Sequence, residues 1–185
     1  MITRSSTRRG VRHPVAALSL GLTFIAGLAT ADVADAADLA GGDAGRGEYL
    51  ATIMVCGDCH SGRRPDGEID PSFYLAGGTA GFEIPGLGVF WPPNLTPDMA
   101  TGLGDWSAEE IAAAIREGVR PDGRILAPIM PYGFYGRLTD TDVADLVAYL
   151  RSLEPVTYAV PLPVGTTAAA AAPFYAVVIP ASLPG

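Results

Sequence analysis

Two cysteines and a histidine form the cluster in this sequence whose residue types and spacing suit covalent cofactor chemistry. They lie in the segment Cys56-Gly57-Asp58-Cys59-His60, which has the pattern Cys-x-x-Cys-His. Thiols three positions apart at a helix end share a face, so each can form a thioether with a vinyl group of one porphyrin. The imidazole that follows then lies under the iron and can donate its Nε2 atom. The pattern therefore predicts one c-type haem, attached through Cys56 and Cys59 and ligated by His60.

Two other kinds of site use the same residue types, and the rest of the sequence disfavours both. A thioredoxin-like redox pair needs a strand–helix–strand context, and no strand pattern precedes the motif. A zinc site needs a fourth ligand and usually a second Cys/His pair, whereas the chain has only two Cys and two His. The same scarcity excludes a disulfide framework.

A six-coordinate iron needs a second axial ligand, and the chain offers three internal methionines for it. Met130 lies 70 residues after His60, in a loop between two predicted helices, where its thioether can reach the second face. Met54 lies too close to the attachment site, and Met99 follows a segment expected on the histidine side. Met130 is therefore the predicted ligand. Met99, an open or weakly held site, and an ordinary core role for Met130 are the alternatives.

Three helices are predicted to position these residues. Asp43 is the predicted N-cap of a helix that runs to about Val55, just before the motif. The other two helices each begin with a capping box, formed by Ser107 with Glu110 and by Thr139 with Asp142. Residues 61–105 hold repeated Gly and Pro and are predicted to be a long irregular loop, a length that usually indicates function. The expected fold is all-α, with about three main helices around one covalent haem and long Gly/Pro-rich loops.

The first 37 residues are predicted to be an export signal. Four of the twelve Arg lie in the first twelve residues, and an uncharged run of 17 residues follows from Val15 to Ala31. Small residues then create the Ala-x-Ala cleavage pattern, with cleavage after Ala31 or after Ala36/Ala37. An uncleaved membrane anchor is the alternative, because the run is at the short limit for a membrane span.

The remainder of the chain is acidic. Residues 38–185 carry eight Arg, no Lys and 18 acidic residues, which is a net charge of −10 with the histidine neutral. Such a balance excludes nucleic-acid binding, which needs a positive surface to neutralise phosphates. We expect a haem domain over residues 38–155 and an apolar Pro/Ala-rich tail over residues 156–185. Pro173 and Pro180 argue against a membrane span in the tail, which either lies across the domain or docks a partner.

At these positions the chain resembles the class I, mono-haem cytochromes c. The resemblance covers about residues 43–155. It rests on Gly45 and Tyr49, the Cys-x-x-Cys-His motif, Pro93-Asn94-Leu95, Trp106, Met130-Pro131, and Leu146 to Leu150 with Tyr149. A narrower group, the cytochrome c subunits or partners of bacterial periplasmic dehydrogenases, is similar over Asn94 to Asp98, Thr101 to Gly104, Trp106-Ser107 and Met130-Pro131-Tyr132.

The resemblance implies the class I cytochrome c fold and a particular helix crossing. In that family a glycine and an aromatic residue of the first helix meet an aromatic residue of the last helix at close range. Gly45, Tyr49 and Tyr149 match those positions in this sequence.

The resemblance also implies roles for residues around the haem. The carbonyl of Pro93, with Pro92 as the alternative, accepts the Nδ1 proton of His60, which fixes the ring and raises its basicity. Trp106 donates its indole N–H to a haem propionate, unless it only packs in the core. Arg120 and Arg124 are further candidates to bind the haem propionates. The alternative for each is an ordinary solvated charge.

The functional prediction is a periplasmic electron-transfer protein and not an enzyme. Its haem carries single electrons from a dehydrogenase to the respiratory chain, with a downstream oxidase or another cytochrome as acceptor. No transmembrane segment remains after signal removal, and peripheral attachment to the inner membrane is an open variant. The alternative function is a haem enzyme or gas sensor in which a small ligand displaces Met130. The absence of His, Cys and Lys from the predicted distal loop favours electron transfer.

Overall fold

The computed structural model describes Leu39 and residues 41–178, and the fold below is that of these residues. The predicted signal segment, residues 1–37, lies outside them. The helices are α1 (Ala44–Ile53), α2 (Cys56–His60), α3 (Ala108–Arg116), α4 (Tyr132–Tyr135) and α5 (Asp140–Ser152). The strands are β1 (Gly81–Ile84), β2 (Gly88–Phe90) and β3 (Phe174–Tyr175). None of the described helices is long and apolar enough to cross a membrane.

Side-chain caps decide where the three longer helices begin. The Asp43 carboxylate accepts from the Gly45 amide at 2.8 Å, so α1 begins where the sequence predicts. At the start of α3, the Glu110 carboxylate accepts from the Ser107 amide at 2.8 Å while the Ser107 hydroxyl accepts from the Glu110 amide at 3.1 Å. The corresponding pair at the start of α5 is also present. Both predicted capping boxes are therefore confirmed.

The core lies where α1 crosses α5. A Cβ atom on Gly47 would lie 2.0 Å from the Asp145 carbonyl oxygen, so only glycine permits this approach of the two backbones. Leu50 and Ala51 follow three and four positions later on the same face and are buried. Tyr149 of α5 is buried at this crossing, with 7% of its surface exposed.

The expectation that Gly45 and Tyr49 of α1 meet Tyr149 of α5 is wrong. A Cβ atom on Gly45 would meet nothing closer than the Asp43 carboxylate at 3.3 Å, and Tyr49 is 62% exposed. The cause is helix geometry, since each residue rotates by about 100°. With Gly47 against α5, positions 45 and 49 point away from the crossing.

The all-α expectation is wrong, because residues 81–90 form a β-hairpin inside a three-stranded mixed sheet of order β2–β1–β3. Strand β1 pairs antiparallel with β2 through a turn at Pro85-Gly86. Gly86 has φ +80°, and the Leu87 amide donates to the Ile84 carbonyl at 2.9 Å, as in a type II turn. A Pro-Gly pair between short apolar runs predicts such a turn. The prediction of an irregular loop over residues 61–105 did not take this pair into account.

The tail lies along the domain over its described part, residues 156–178, and contacts both edges of the hairpin. Val164 exchanges two backbone hydrogen bonds with Val89 of β2, at 2.8 and 3.0 Å. On the other edge β3 pairs parallel with β1, with Phe174 opposite Gly81. The third strand thus comes from a part of the chain far from the hairpin, and no local pattern predicts that pairing.

Candidate functional site

The short helix α2 presents both thiols beside the histidine. Val55 separates α1 from α2 in a left-handed conformation, φ +60° and ψ +31°, which is strained for a β-branched residue. Cys56 and Cys59 are three positions apart on α2 and therefore share a face. Cys56 is half-buried, Cys59 is exposed, and both thiols are free. This arrangement leaves both sulfur atoms available to one planar molecule.

Burial raises the pKa of both thiols. It raises the pKa of Cys56 to about 11. The pKa of Cys59 is raised as well, first by burial and then by the charge of Asp58. Because the thiolate is the form that attacks disulfides, this environment disfavours a redox pair. The described residues also contain no group of three or more His, Cys, Asp or Glu side chains able to hold a metal ion.

The His60 imidazole is buried and held in one tautomer. Its Nδ1 atom lies 2.8 Å from the Pro93 carbonyl oxygen. Since a carbonyl only accepts, Nδ1 carries the proton and Nε2 keeps its lone pair. The pKa of His60 is lowered by burial, an effect partly opposed by the bond to Pro93, so the ring is neutral. The Pro92 carbonyl instead accepts from the Gly78 amide at 3.0 Å.

A cavity of about 680 Å³ opens beside α2 and brings the predicted site residues together. The predicted residues in its wall are Cys56, Cys59, His60, Pro93, Trp106 and Met130. Most of the remaining wall is apolar and comes from α1, α3, α5, the loops and tail residues 159–163. Two thiols and an imidazole on one helix, with a thioether from a distant loop in the same apolar cavity, fit a covalently attached haem with two axial ligands.

The three internal methionines occupy different places around this cavity. Met130 is half-buried in the loop before α4 and lines the cavity. Met54 lines it from the end of α1, where its carbonyl accepts from the Tyr135 hydroxyl at 3.2 Å. Met99 is 64% exposed and is not part of the cavity wall. Met99 therefore lies outside the cavity wall. Of the two methionines in the wall, Met130 is the one that is distant in sequence from the attachment helix.

Trp106 and two arginines form a cationic part of the cavity wall. The Arg120 guanidinium lies over the Trp106 ring, 4.9 Å from its centroid. Its Nε atom is buried and makes no hydrogen bond to any residue in the described ranges, although Asp122 lies 3.5 Å away. The pKa of Arg120 is lowered by burial first and then by repulsion from Arg124. A buried N–H donor beside a second cation suits an anionic group, such as a propionate, at this wall.

Sequence reasoning missed two parts of the site. Tail residues 159–163 line the cavity, although the tail was assigned no role there. Asn94 and Thr101 also line it, and Asn94 is 1% exposed. The contact of the tail with the cavity depends on the path of the chain after α5, which no local pattern predicts. The one sequence feature that points to burial of these residues is the uncharged run around Pro161.

Comparison with known proteins agrees with this geometry. The family model for cytochrome c matches residues 44–154, which is more than half of the chain. The fructose dehydrogenase cytochrome subunit of Gluconobacter japonicus is 42% identical over 112 residues, which cover 60% of this chain and 21% of that protein. The gluconate 2-dehydrogenase cytochrome c subunit of Pantoea cypripedii is 36% identical over 148 residues, with 78% of this chain and 30% of that protein covered.

A third relative has a different description. The dihaem cytochrome c-type protein of Cereibacter sphaeroides is 36% identical over 117 residues, which cover 62% of this chain and 37% of that protein. The chain therefore spans between about a fifth and a little more than a third of the length of these three relatives.

Proposed function

Because this chain belongs to the cytochrome c family, we propose that it carries single electrons through one haem c, attached at Cys56 and Cys59 and ligated by His60 and Met130. The observation that carries the proposal is the shared cavity, which has both thiols, the free Nε2 lone pair of His60 and the Met130 thioether in its wall. The single Cys-x-x-Cys-His motif supports one haem per chain.

The residues of the chain act on the site in different ways. When bound, haem c supplies a one-electron Fe(III)/Fe(II) couple. The hydrogen bond from His60 to Pro93 fixes the ring and makes Nε2 a stronger donor. The Met130 thioether favours the reduced iron, so the pair is expected to give a positive potential. The apolar wall would limit the access of water to the group, and Arg120, Arg124 and Trp106 would hold its propionates.

The proposed partner that supplies electrons is a dehydrogenase, and a downstream oxidase or cytochrome of the respiratory chain accepts them. Support for the donor comes from two relatives that are named as cytochrome subunits of a fructose and a gluconate dehydrogenase. Support for a periplasmic location comes from the predicted export signal over residues 1–37. In this proposal residues 38–155 form the haem domain, and the tail completes one wall of its cavity.

The alternative function, a haem enzyme or gas sensor that releases Met130, has less support. A site that binds or reacts with a small ligand usually places polar or ionisable groups beside the open coordination position. The loop from Ile125 to Pro131 contains no ionisable side chain. The composition of this loop therefore supports electron transfer over displacement of Met130 by a small ligand.

Covalent haem attachment is the first test. Protein from a host that performs haem c maturation is expected to keep its haem stain after denaturing electrophoresis, with one haem per chain by alkaline pyridine spectra. The Cys56→Ala/Cys59→Ala double variant is expected to lose the stain completely. Thr52→Ala, a change on α1 that leaves the thiols intact, serves as the matched control. Two haems per chain, or a stained double variant, would contradict the proposal.

A further inference from the structure

The tail begins with three residues bonded to the loop that carries Pro93. The Val156 amide donates to the Thr96 hydroxyl at 3.1 Å, and the Tyr158 amide donates to the Thr101 hydroxyl at 3.0 Å. Between them the Thr157 hydroxyl donates to the Asp98 carboxylate at 2.7 Å. All three tail residues lie beyond the family match, which ends at residue 154. These contacts therefore lie outside the residues matched by the family model.

Asn94 joins this segment to the loop through a fully satisfied, buried amide. Its Nδ2 atom donates to the Val156 carbonyl at 2.7 Å and to the Thr101 hydroxyl at 3.0 Å. Its Oδ1 atom accepts from the Thr96 amide at 2.9 Å and from the Thr96 hydroxyl at 2.8 Å. Asn94 and Thr96 are each 1% exposed. Loss of any partner in such a network leaves a buried polar group unpaired, which is costly.

The same network lies one peptide bond from the acceptor of the His60 proton. The Pro93 carbonyl and the Asn94 nitrogen belong to one planar peptide unit, so restraint of Asn94 also orients that carbonyl. Pro93 has no amide of its own with which to hold the loop. The Asn94 side chain is therefore a main restraint on the direction of the Pro93 oxygen.

The tail also contacts the other segment that holds the histidine. The Gly77 amide donates to the His60 carbonyl at 2.7 Å. A Cβ atom on Gly77 would lie 2.5 Å from the Val160 side chain and 3.2 Å from the Tyr158 ring. Gly77 has φ +116°, a conformation open to glycine. Tail residues 156–160 thus contact both segments that hold His60, one through Asn94 and one through Gly77.

We propose that Val156 and Tyr158 of the tail, acting through Asn94 and Thr101, position the proximal ligand by holding the Pro93 carbonyl on Nδ1 of His60. The inference rests on the proposed function, because it assigns His60 to the iron. These are positioning residues, since they act on the imidazole through the loop. A looser Pro93 carbonyl makes His60 a weaker donor, so the potential rises and the Nδ1 proton exchanges faster.

The test uses full-length haem-bearing variants in which one threonine hydroxyl is replaced by a methyl group. Thr101→Val removes the acceptor of Asn94 Nδ2 and of the Tyr158 amide. Thr157→Val is the matched control, because it removes a tail contact to Asp98 and leaves Asn94 untouched. For Thr101→Val we expect solvent exchange of the His60 Nδ1 proton, followed by NMR in the reduced state, to accelerate at least about tenfold, together with an upward shift of the potential. For Thr157→Val we expect both values within about twofold of the wild type.

A second variant covers the case in which Thr101→Val does not fold. Tyr158→Ala keeps every backbone bond of the tail but removes the ring that packs on Gly77 and lies 5.6 Å from the Phe73 ring. It is expected to shift exchange and potential in the same direction by a smaller amount. Haem-bearing Thr101→Val or Tyr158→Ala with wild-type exchange and potential would overturn the inference and leave the proposed function standing. Wild-type protein without covalent haem would overturn both.

Discussion

Gly47 of α1 lies directly against the Asp145 carbonyl oxygen of α5, so closely that a Cβ atom on Gly47 would come within 2.0 Å of it. The same crossing holds Asp145, which is 3% exposed and accepts from the Asp43 amide at 2.7 Å and from Arg46. The two helices that frame the haem cavity are therefore locked together by a steric contact and by part-buried charge-assisted bonds.

Substitution of Gly47 tests this contact. Gly47→Ala is expected to lower the free energy of unfolding by about 2 kcal/mol or more, because the helices must separate or distort to admit the methyl group. Gly45→Ala is the matched control on the same helix. Its methyl group meets only the Asp43 carboxylate at 3.3 Å, so a change of less than about 1 kcal/mol is expected. Urea denaturation measures both, and equal losses would contradict the assignment of the crossing to Gly47.

Met130→Ala is expected to keep the covalent haem, lower the reduction potential and open the iron to carbon monoxide. The reason is that both thioether bonds and His60 remain while the sulfur ligand that favours Fe(II) is lost. The matched control is Met99→Ala, because Met99 is 64% exposed and lies outside the cavity wall. Redox titration and carbon monoxide difference spectra provide the measurement. An unchanged potential in Met130→Ala together with a shifted one in Met99→Ala would reverse the assignment.

Acid stability depends in part on Asp142. The Thr139 hydroxyl donates to its carboxylate at 2.7 Å, Arg46 pairs with it, and these contacts lower its pKa to about 2. Because the folded pKa lies below the unfolded one, the contribution is complete above about pH 4 and is lost as the pH falls towards 2.

The Asp142→Asn variant measures this contribution. At neutral pH it is expected to be about 1 kcal/mol less stable than the wild type, because its capping-box contact with Thr139 and its ion pair with Arg46 are weakened. The difference is expected to shrink steadily between pH 4 and pH 2. Urea denaturation at several pH values gives the result, and a difference that stays constant down to pH 2 would contradict the role of the Asp142 charge.

Electron transfer with the native dehydrogenase is expected to depend only weakly on salt. A ring of Lys around the haem edge cannot steer this protein, because the chain has no Lys and residues 38–185 carry a net charge of −10. Aromatic and apolar groups are exposed on the tail and hairpin instead, and they include Tyr175 at 60% and Leu87 at 53%. The rate, measured against ionic strength, is expected to be nearly flat. A steep fall would favour a freely diffusing carrier steered by charge, since such attraction is screened beyond about 8 Å at physiological salt.

The chemistry of this protein was readable from local sequence. Cys56, Cys59 and His60 lie within four positions of one another, and thioether attachment needs no more than their spacing on one short helix. The capping boxes at Ser107 and Thr139 are equally local, because each is closed by a side chain three positions away. The hairpin turn at Pro85-Gly86 is equally local, although residues 61–105 are predicted to be irregular.

Only the tertiary structure decided which distant residues meet. Gly45 and Gly47 both lie on the first turns of α1, and the rotation of α1 against α5 determined that Gly47 makes the contact. The pairing of β3 with β1 joins segments about 90 residues apart, and the bond from Asn94 to the Val156 carbonyl joins segments about 60 residues apart. Such contacts depend on the path of the whole chain and on the exclusion of water from buried polar groups. Sequence alone therefore determined the haem attachment motif, and the fold determined what holds its histidine in place.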